Sequence, residues 1–478
     1  MRLNSHLLWR GRGVLMRAIP AVNRLPAQGG SLCFIDPALS RHFASAPVLR
    51  LRQDPRIPGG NEFNYEEVVR NFKWEVPERF NFSRDVIDKF AKEAGERQAL
   101  WYVGEEGEEV KLSYKELSDA SQKAAAVVES LGLRKAVCIL PKVPEWWLIN
   151  LGTIRAGVIL LPGTTQLTDR DIEGRLLSSG ADALICDLET ASKVDNLNLE
   201  HTSLKTKVVV GGTKDGWIDW GQLYDQVILR ALQILASHHG HPQAPSSHTA
   251  VNSHKDDIMQ IFFTSGTTGK PKMVPHTHGS YGYCHWPMGK YWLDLGPDDL
   301  MWNISDTGWA KSAWSAVFGP WSQGATIFVN GMSRFTAPKV LDTLSKVPIT
   351  VLCAPPTMYR SLVQEDLRQW NFLSLRHCVS AGEPLNEEVI YNWEEATGLV
   401  VKEGYGQTET TLLLGTFKKM SKWVKPGSIG KVAPGYDVRI VNNMGVEVAR
   451  GEQGNIGVRC KPEVPPGLFQ VDITIHSW

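Results

Sequence analysis

Beyond residue 97 the chain alternates short apolar runs with stretches of helical periodicity. The runs fall at residues 135–140, 157–161, 181–186, 207–210, 258–263, 349–353 and 377–379. Each has the length and largely apolar character of a strand buried on both faces, and helical patterns separate them. Strand–helix alternation of this kind predicts an α/β fold of parallel-rich sheets flanked by helices. Residues 63–97, ahead of the first run, read as mixed helical packing. In open parallel sheets ligands bind beyond the carboxyl ends of strands, so the loops that follow the runs should carry the chemistry. The longest apolar stretch, residues 146–162, contains Arg155. It is too broken to span a bilayer, so no transmembrane segment is expected.

Composition narrows this picture. A chain of 478 residues exceeds one ordinary core, which predicts two or more subdomains. Lys plus Arg total 51 and Asp plus Glu total 51, a balance that does not point to nucleic acid or a membrane surface as partner. The seven cysteines are scattered, and Cys138, Cys186 and Cys353 sit inside apolar runs. None shows CxxC or zinc-ligand spacing, so buried reduced thiols are expected. Residues 237–257 hold five of the thirteen histidines among Pro, Ser and Gly, without helical pairing. A solvated connector between subdomains is the expectation there.

The first 43 residues differ from the rest. They contain six arginines, no lysine and one acid, Asp36. An Arg-rich, acid-poor, Ser-bearing leader has the composition of a mitochondrial transit peptide. Arg41-His42-Phe43-Ala44-Ser45 reads as a processing site with cleavage after Phe43, which predicts a mitochondrial matrix protein.

The densest chemistry follows the run at 258–263, in Thr264-Ser265-Gly266-Thr267-Thr268-Gly269-Lys270-Pro271-Lys272. Glycines there let backbone N–H groups approach phosphate oxygens, hydroxyls donate hydrogen bonds, and lysines supply charge. The loop is not a Walker A motif. That pattern needs Gly where Thr264 stands and a hydroxyl residue where Pro271 stands. Pro271 also disfavours a helix starting directly from the loop, so a flap closing over a nucleotide is expected instead.

Further motifs follow in order: Pro141-Lys142-Val143-Pro144-Glu145-Trp146-Trp147, Ser305-Asp306-Thr307-Gly308-Trp309, Ser380-Ala381-Gly382-Glu383-Pro384-Leu385, Glu403-Gly404-Tyr405-Gly406-Gln407-Thr408-Glu409 and Pro426-Gly427-Ser428-Ile429-Gly430. Together with the phosphate loop, this set resembles the AMP-forming acyl-CoA synthetases of the adenylate-forming superfamily. The mitochondrial medium-chain branch is the nearest. The resemblance runs from about Phe63 to about Phe469. It implies the large N-terminal adenylating domain of that family, assigned to residues 60–469 between a transit peptide (1–43) and a divergent tail (470–478).

The resemblance also implies a reaction. ATP and a carboxylic acid give acyl-AMP and pyrophosphate, and the CoA thiol then displaces AMP. The first step needs charge stabilisation around the phosphates rather than an acid–base pair. Thr264, Ser265, Thr267, Thr268, Lys270 and Lys272 match phosphate-loop positions, with Gly266, Gly269 and Pro271 shaping the loop. Glu409 matches the carboxylate that holds Mg²⁺, and Thr408 the hydroxyl beside the acyl-phosphate. Thr264, Lys272, Thr408 and Glu409 are therefore the candidate catalytic residues. Gly382, Glu383 and Pro384 match the loop bordering adenine, with Tyr405 as an aromatic face within Glu403, Gly404, Gly406 and Gln407. Gln166 matches a CoA contact. Trp309 and Trp314 either line the acyl pocket, favouring a medium-chain or aryl acid, or simply fill core.

Two departures temper the analogy. Residues 131–136, Leu-Gly-Leu-Arg-Lys-Ala, lack the Gly-Asp turn usual in the family. More consequentially, the resemblance ends near Phe469. In the family a ribose-binding aspartate, a hinge arginine and a small C-terminal domain with a catalytic lysine and CoA contacts come next, and this sequence has no match to them. Two functions follow: a medium-chain fatty acid CoA ligase, or a catalytically impaired ATP- and acyl-binding remnant.

Overall fold

The computed structural model describes residues 63–227, 248–264, 271–417, 425–460 and 465–468, all within one unit, Val48–Trp478. The leader, the tail after Leu468, most of the His-rich connector, and Ser265, Gly266, Thr267, Thr268, Gly269 and Lys270 lie outside the described residues.

In chain order the strands are β1 (Gln98–Val103), β2 (Glu109–Ser113), β3 (Lys135–Ile139), β4 (Ile159–Gly163), β5 (Ala183–Asp187) and β6 (Thr206–Val210). Next come β7 (Ile218–Asp219), β8 (Ile258–Thr264), β9 (Lys272–Thr277), β10 (Leu300–Asn303), β11 (Thr326–Asn330) and β12 (Val351–Cys353). The last are β13 (His377–Ala381), β14 (Val401–Tyr405), β15 (Leu414–Gly415), β16 (Lys431–Val432), β17 (Val438–Val441) and β18 (Asn455–Val458). Seven strands take the order β7-β6-β5-β3-β4-β8-β9, parallel except for the β8–β9 hairpin. Nine take the order β16-β15-β14-β13-β12-β10-β11-β1-β2, parallel from β14 through β1. β17 and β18 form a separate antiparallel pair.

Side-chain alternation explains how the two sheets join. In β12, Val351 and Cys353 enter the same apolar cluster as Ala136 and Cys138 of β3. Their neighbours Leu352 and Val137 join two different clusters on the opposite faces. Each large sheet is thus covered on both sides, as parallel sheets require, and one cluster is shared between them.

All seven apolar runs become strands, β3, β4, β5, β6, β8, β12 and β13. The broken stretch at 146–162 resolves into a helix, Pro144–Ala156, and β4. Pro144 starts that helix at a position needing no N–H, and Gly157 ends it at φ 70°. Arg155 is buried at 1% exposure, donating to both Asp88 carboxylate oxygens at 2.9 and 2.6 Å. Among the described residues no helix is long and apolar enough to cross a membrane.

Several expectations need adjustment. Glu403, Gly404 and Tyr405 belong to β14 rather than to a loop following it. The part of the His-rich connector that is described is pinned: His248 Nε2 lies 2.8 Å from Glu129 and His254 Nε2 lies 2.6 Å from Glu78. The short turn at 131–136 closes with Gly132 at φ 62°, and Asp182 Oδ1 accepts from the Lys135 amide at 3.0 Å. Cys138, Cys186, Cys284, Cys353 and Cys378 are buried free thiols, as expected, whereas Cys460 is exposed.

Candidate active site

β8 of the seven-stranded sheet and the adjacent β13 and β14 of the nine-stranded sheet release their chains into one cavity of about 1360 Å³. That volume exceeds the ~300–1,000 Å³ of an ordinary single-ligand pocket, so the site has room for two reactants. Thr264, Lys272, Gly382, Glu383, Pro384, all residues from Glu403 to Glu409, and Gln166 line it. Pro271 is exposed and outside the lining. The sequence motifs therefore converge on one space, apart from Pro271 and the loop residues not described.

The phosphate-loop segment is a hairpin connection. Thr264 pairs across the ladder with Lys272, and β9 runs antiparallel to β8. Pro271 thus precedes a strand, and no helix starts directly from it. At the end of β13 the chain turns at Gly382, whose φ of 109° is open to glycine and strained for other residues. A Cβ at Gly382 would meet nothing within 4 Å, so its backbone faces open cavity. Gly406 is small for another reason: a Cβ there would fall 2.5 Å from Trp314 Cη2 and 2.3 Å from the Thr411 carbonyl.

Glu403 lines the cavity and also holds a backbone turn. Its Oε1 accepts from the Leu385 amide at 3.0 Å, tying the Gly382–Leu385 turn to β14. Burial raises its pKa above the ordinary 4.5, against the lowering effect of that hydrogen bond. An acid whose folded-state pKa is raised gives stability that is present below the ordinary value and lost as pH rises through the raised one. Glu403→Gln keeps an acceptor for Leu385 without the charge. Its Tm should exceed that of the wild type at pH 8, and the gap should close towards pH 4.5 in a thermal-melt series.

Glu383 is exposed and pairs with Arg360 at 2.8 Å. Thr408 and Glu409 are half-buried at the cavity wall. Gln166 is exposed at the rim. The two tryptophans divide: Trp314 is buried, while Trp309 is 58% exposed at the mouth.

Two lysines at the cavity carried no role in the sequence reading. Lys311 Nζ donates to the Ala381 carbonyl at 2.8 Å, and burial lowers its pKa. Lys142 lies 4.6 Å from the centroid of the Phe335 ring, and burial lowers its pKa against the raising effect of Asp306. Lys142 is the lone cation of the Pro141–Trp147 motif, and that misfit was the available signal; Lys311, between Ala310 and Ser312, left none. Among the described residues no cluster of three or more His, Cys, Asp or Glu could hold a metal ion by itself. A cation here would take one carboxylate and complete its shell with water and phosphate, the usual arrangement for Mg²⁺.

Parallel sheets ending in a glycine-rich, carboxylate-bearing cavity define a nucleotide-handling α/β enzyme. Residues 87–468 match the model of the AMP-binding enzyme family, and the chain belongs to that family, in its acyl-CoA synthetase branch. It is 45% identical over 434 residues to the mouse (Mus musculus) protein named "Acyl-coenzyme A synthetase ACSM3, mitochondrial", covering 88% of this chain and 72% of that one. A solved acyl-CoA synthetase from Brucella canis matches with a TM-score of 0.74 at 25% identity, over 85% of this chain and 73% of its own. An anthranilate CoA ligase, solved in complex with anthranoyl-AMP, matches with a TM-score of 0.71 at 26% identity, over 81% and 71%.

Proposed function

We propose that this acyl-CoA synthetase activates medium-chain carboxylic acids, through an acyl-adenylate, for transfer to CoA. The observation that carries the reading is the convergence of the β8–β9 hairpin, the Gly382 turn and the Thr408–Glu409 segment on one cavity. The 45% identity to a protein named as a mitochondrial acyl-CoA synthetase supports the branch.

In this reading Lys272, Thr264 and the intervening loop hold the triphosphate. Gly382, Glu383 and Pro384 border adenine, with Tyr405 against its face. Thr408 donates beside the reacting phosphate, and Gln166 meets CoA at the rim. Trp314 walls the acyl arm and Trp309 stands at its mouth. The half-buried Glu409 carboxylate and the roomy, phosphate-ready cavity suit Mg²⁺, which when bound neutralises phosphate charge as it develops. The chain's own contribution is to place these groups before reaction, so that they need no reorganisation during it.

The test is incubation with ATP, Mg²⁺ and octanoate, with and without CoA, measuring pyrophosphate and octanoyl-CoA. Octanoate-dependent pyrophosphate with octanoyl-CoA is the expected result. Pyrophosphate alone would confine the chain to adenylation, and neither product would overturn the reading. We further propose a mitochondrial matrix location, supported by the Arg-rich leader and the relative's name. N-terminal sequencing of the protein from isolated mitochondria should begin at Ala44; recovery of the intact Met1 form from cytosol would refute it.

A further inference from the structure

We propose that His276 and Tyr281 form a positioning bridge that fixes the distance between Lys272 and Glu409, and with it the geometry of the phosphate site. The inference rests on the functional reading above and deepens it.

The bridge spans the two large sheets. His276 lies on β9 of the seven-stranded sheet, four residues after Lys272. On a strand those two positions share a face, about 13 Å apart. Thr408 and Glu409 follow β14 of the nine-stranded sheet. Lys272 and Glu409 therefore come from different sheets, yet both are assigned to the same phosphates. Something must set their spacing.

His276 is fully buried, and its Nε2 lies 2.6 Å from the Thr408 carbonyl oxygen. A carbonyl only accepts, so Nε2 carries the proton and donates. The Tyr281 hydroxyl donates to the same oxygen at 3.2 Å. Its own oxygen accepts from Trp314 Nε1 at 2.9 Å. Trp314 is a cavity wall, so donors run in one direction from the acyl side to the Thr408 carbonyl. The His276 and Tyr281 rings stack with centroids 3.6 Å apart and planes 20° apart, which holds both donors as one slab. Phe262 of β8 packs against Tyr281 at 5.6 Å. Burial keeps the His276 pKa down at about 3, so the donor stays neutral across the working range of pH.

Within its own segment Thr408 sits in a turn closed by the Gln407 amide on Thr410 Oγ1 at 2.8 Å. That bond shapes the turn but says nothing of its place relative to β9. The two donors, His276 on β9 and Tyr281 on the helical turn His278–Tyr283 that follows it, supply that placement. Small displacements matter here, because about 1 Å of misplacement in a phosphate site can cost about 10²-fold in rate.

The experiment compares the full chain with His276→Leu, His276→Gln and Tyr281→Phe. Each is measured for Tm, for octanoate-dependent pyrophosphate release at varied ATP, Mg²⁺ and octanoate, and for calorimetric ATP binding in Mg²⁺. His276→Leu should lower kcat/KM for ATP by about 10²-fold and raise the half-saturating Mg²⁺, with the octanoate KM little changed. His276→Gln, whose amide can donate near the Nε2 position, should recover about tenfold of that loss. Tyr281→Phe should show the same pattern more weakly, since its bond to the Thr408 carbonyl is the longer of the two, 3.2 Å against 2.6 Å.

Wild-type ATP and Mg²⁺ dependence in a folded His276→Leu protein would overturn the bridge. So would an equal loss in every parameter with lowered Tm and no rescue by Gln, the mark of a merely structural residue. If the wild type releases no pyrophosphate, the functional reading fails separately and ATP calorimetry decides. Weaker binding by His276→Leu would sustain the bridge; equal binding, or none in the wild type, would overturn it.

Discussion

Glu409→Gln is expected to lower octanoate-dependent pyrophosphate release by about 10²–10³-fold while leaving Tm unchanged. The range is that for deleting one preorganised charge from a transition-state site. The residue is half-buried at the cavity wall, and Gln preserves its size and one acceptor oxygen. What is lost is the full negative charge that a hard divalent cation prefers over a neutral amide. Raising Mg²⁺ should therefore restore part of the rate, a recovery that a folding defect would not give. A variant with the wild-type rate and Mg²⁺ dependence would remove Glu409 from the metal role.

Asp88→Ala is expected to destabilise the protein by about 3–5 kcal/mol, the cost of breaking a buried ion pair from one side. Arg155 is nearly inaccessible, and its guanidinium donates to Asp88 at 2.6 and 2.9 Å and to Ser121 Oγ at 3.0 and 3.3 Å. Losing the carboxylate strands the cation without its counter-charge. Asp88 is more accessible, with 19% of its side chain exposed, so in Arg155→Met water can still reach the remaining carboxylate. The smaller loss should thus belong to Arg155→Met, and the double variant should fall well short of the sum of the two. Urea midpoints for the three variants test this. A midpoint for Asp88→Ala equal to that of the wild type would show that the pair contributes nothing net.

Seven of the inner strands could be read from the sequence because parallel strands covered on both faces are written as largely apolar runs. β12 and β13 are buried along their whole length; β10 and β11 are buried too, but neither was among the runs, since each is short and ends in a polar Asn. The edge strands could not. β2 is largely accessible and β9 mixes Lys, Pro and His with two apolar residues, so neither leaves a run. The site was half legible for a related reason. Glycine turns interrupt a pattern and so announce themselves, and Gly382 duly takes a conformation that glycine favours. Lys311 and His276 do not announce themselves. A lysine between Ala310 and Ser312 looks like the wet side of a helix until the fold sets it against Ala381. Nor does a histidine in a strand reveal that its partner is a carbonyl 132 residues away. Glu403 adds a subtler lesson: its motif located it beside the cavity, but only the fold showed its carboxylate bound to a backbone amide.

The pairing of β1 with β11 has a consequence for how the protein is made. Gln98 and Thr326 meet through a side-chain hydrogen bond although 228 residues separate them. Leu100, fully buried against this partner, therefore leaves the ribosome long before β11 exists. At about 5–20 residues per second, synthesis leaves the β11 edge of that strand, whose other edge pairs with β2, without its partner for some ten seconds or more. During that interval the nascent chain presents a sticky segment that holdase chaperones bind, so the yield of folded protein should depend on chaperone supply more than its final stability would suggest.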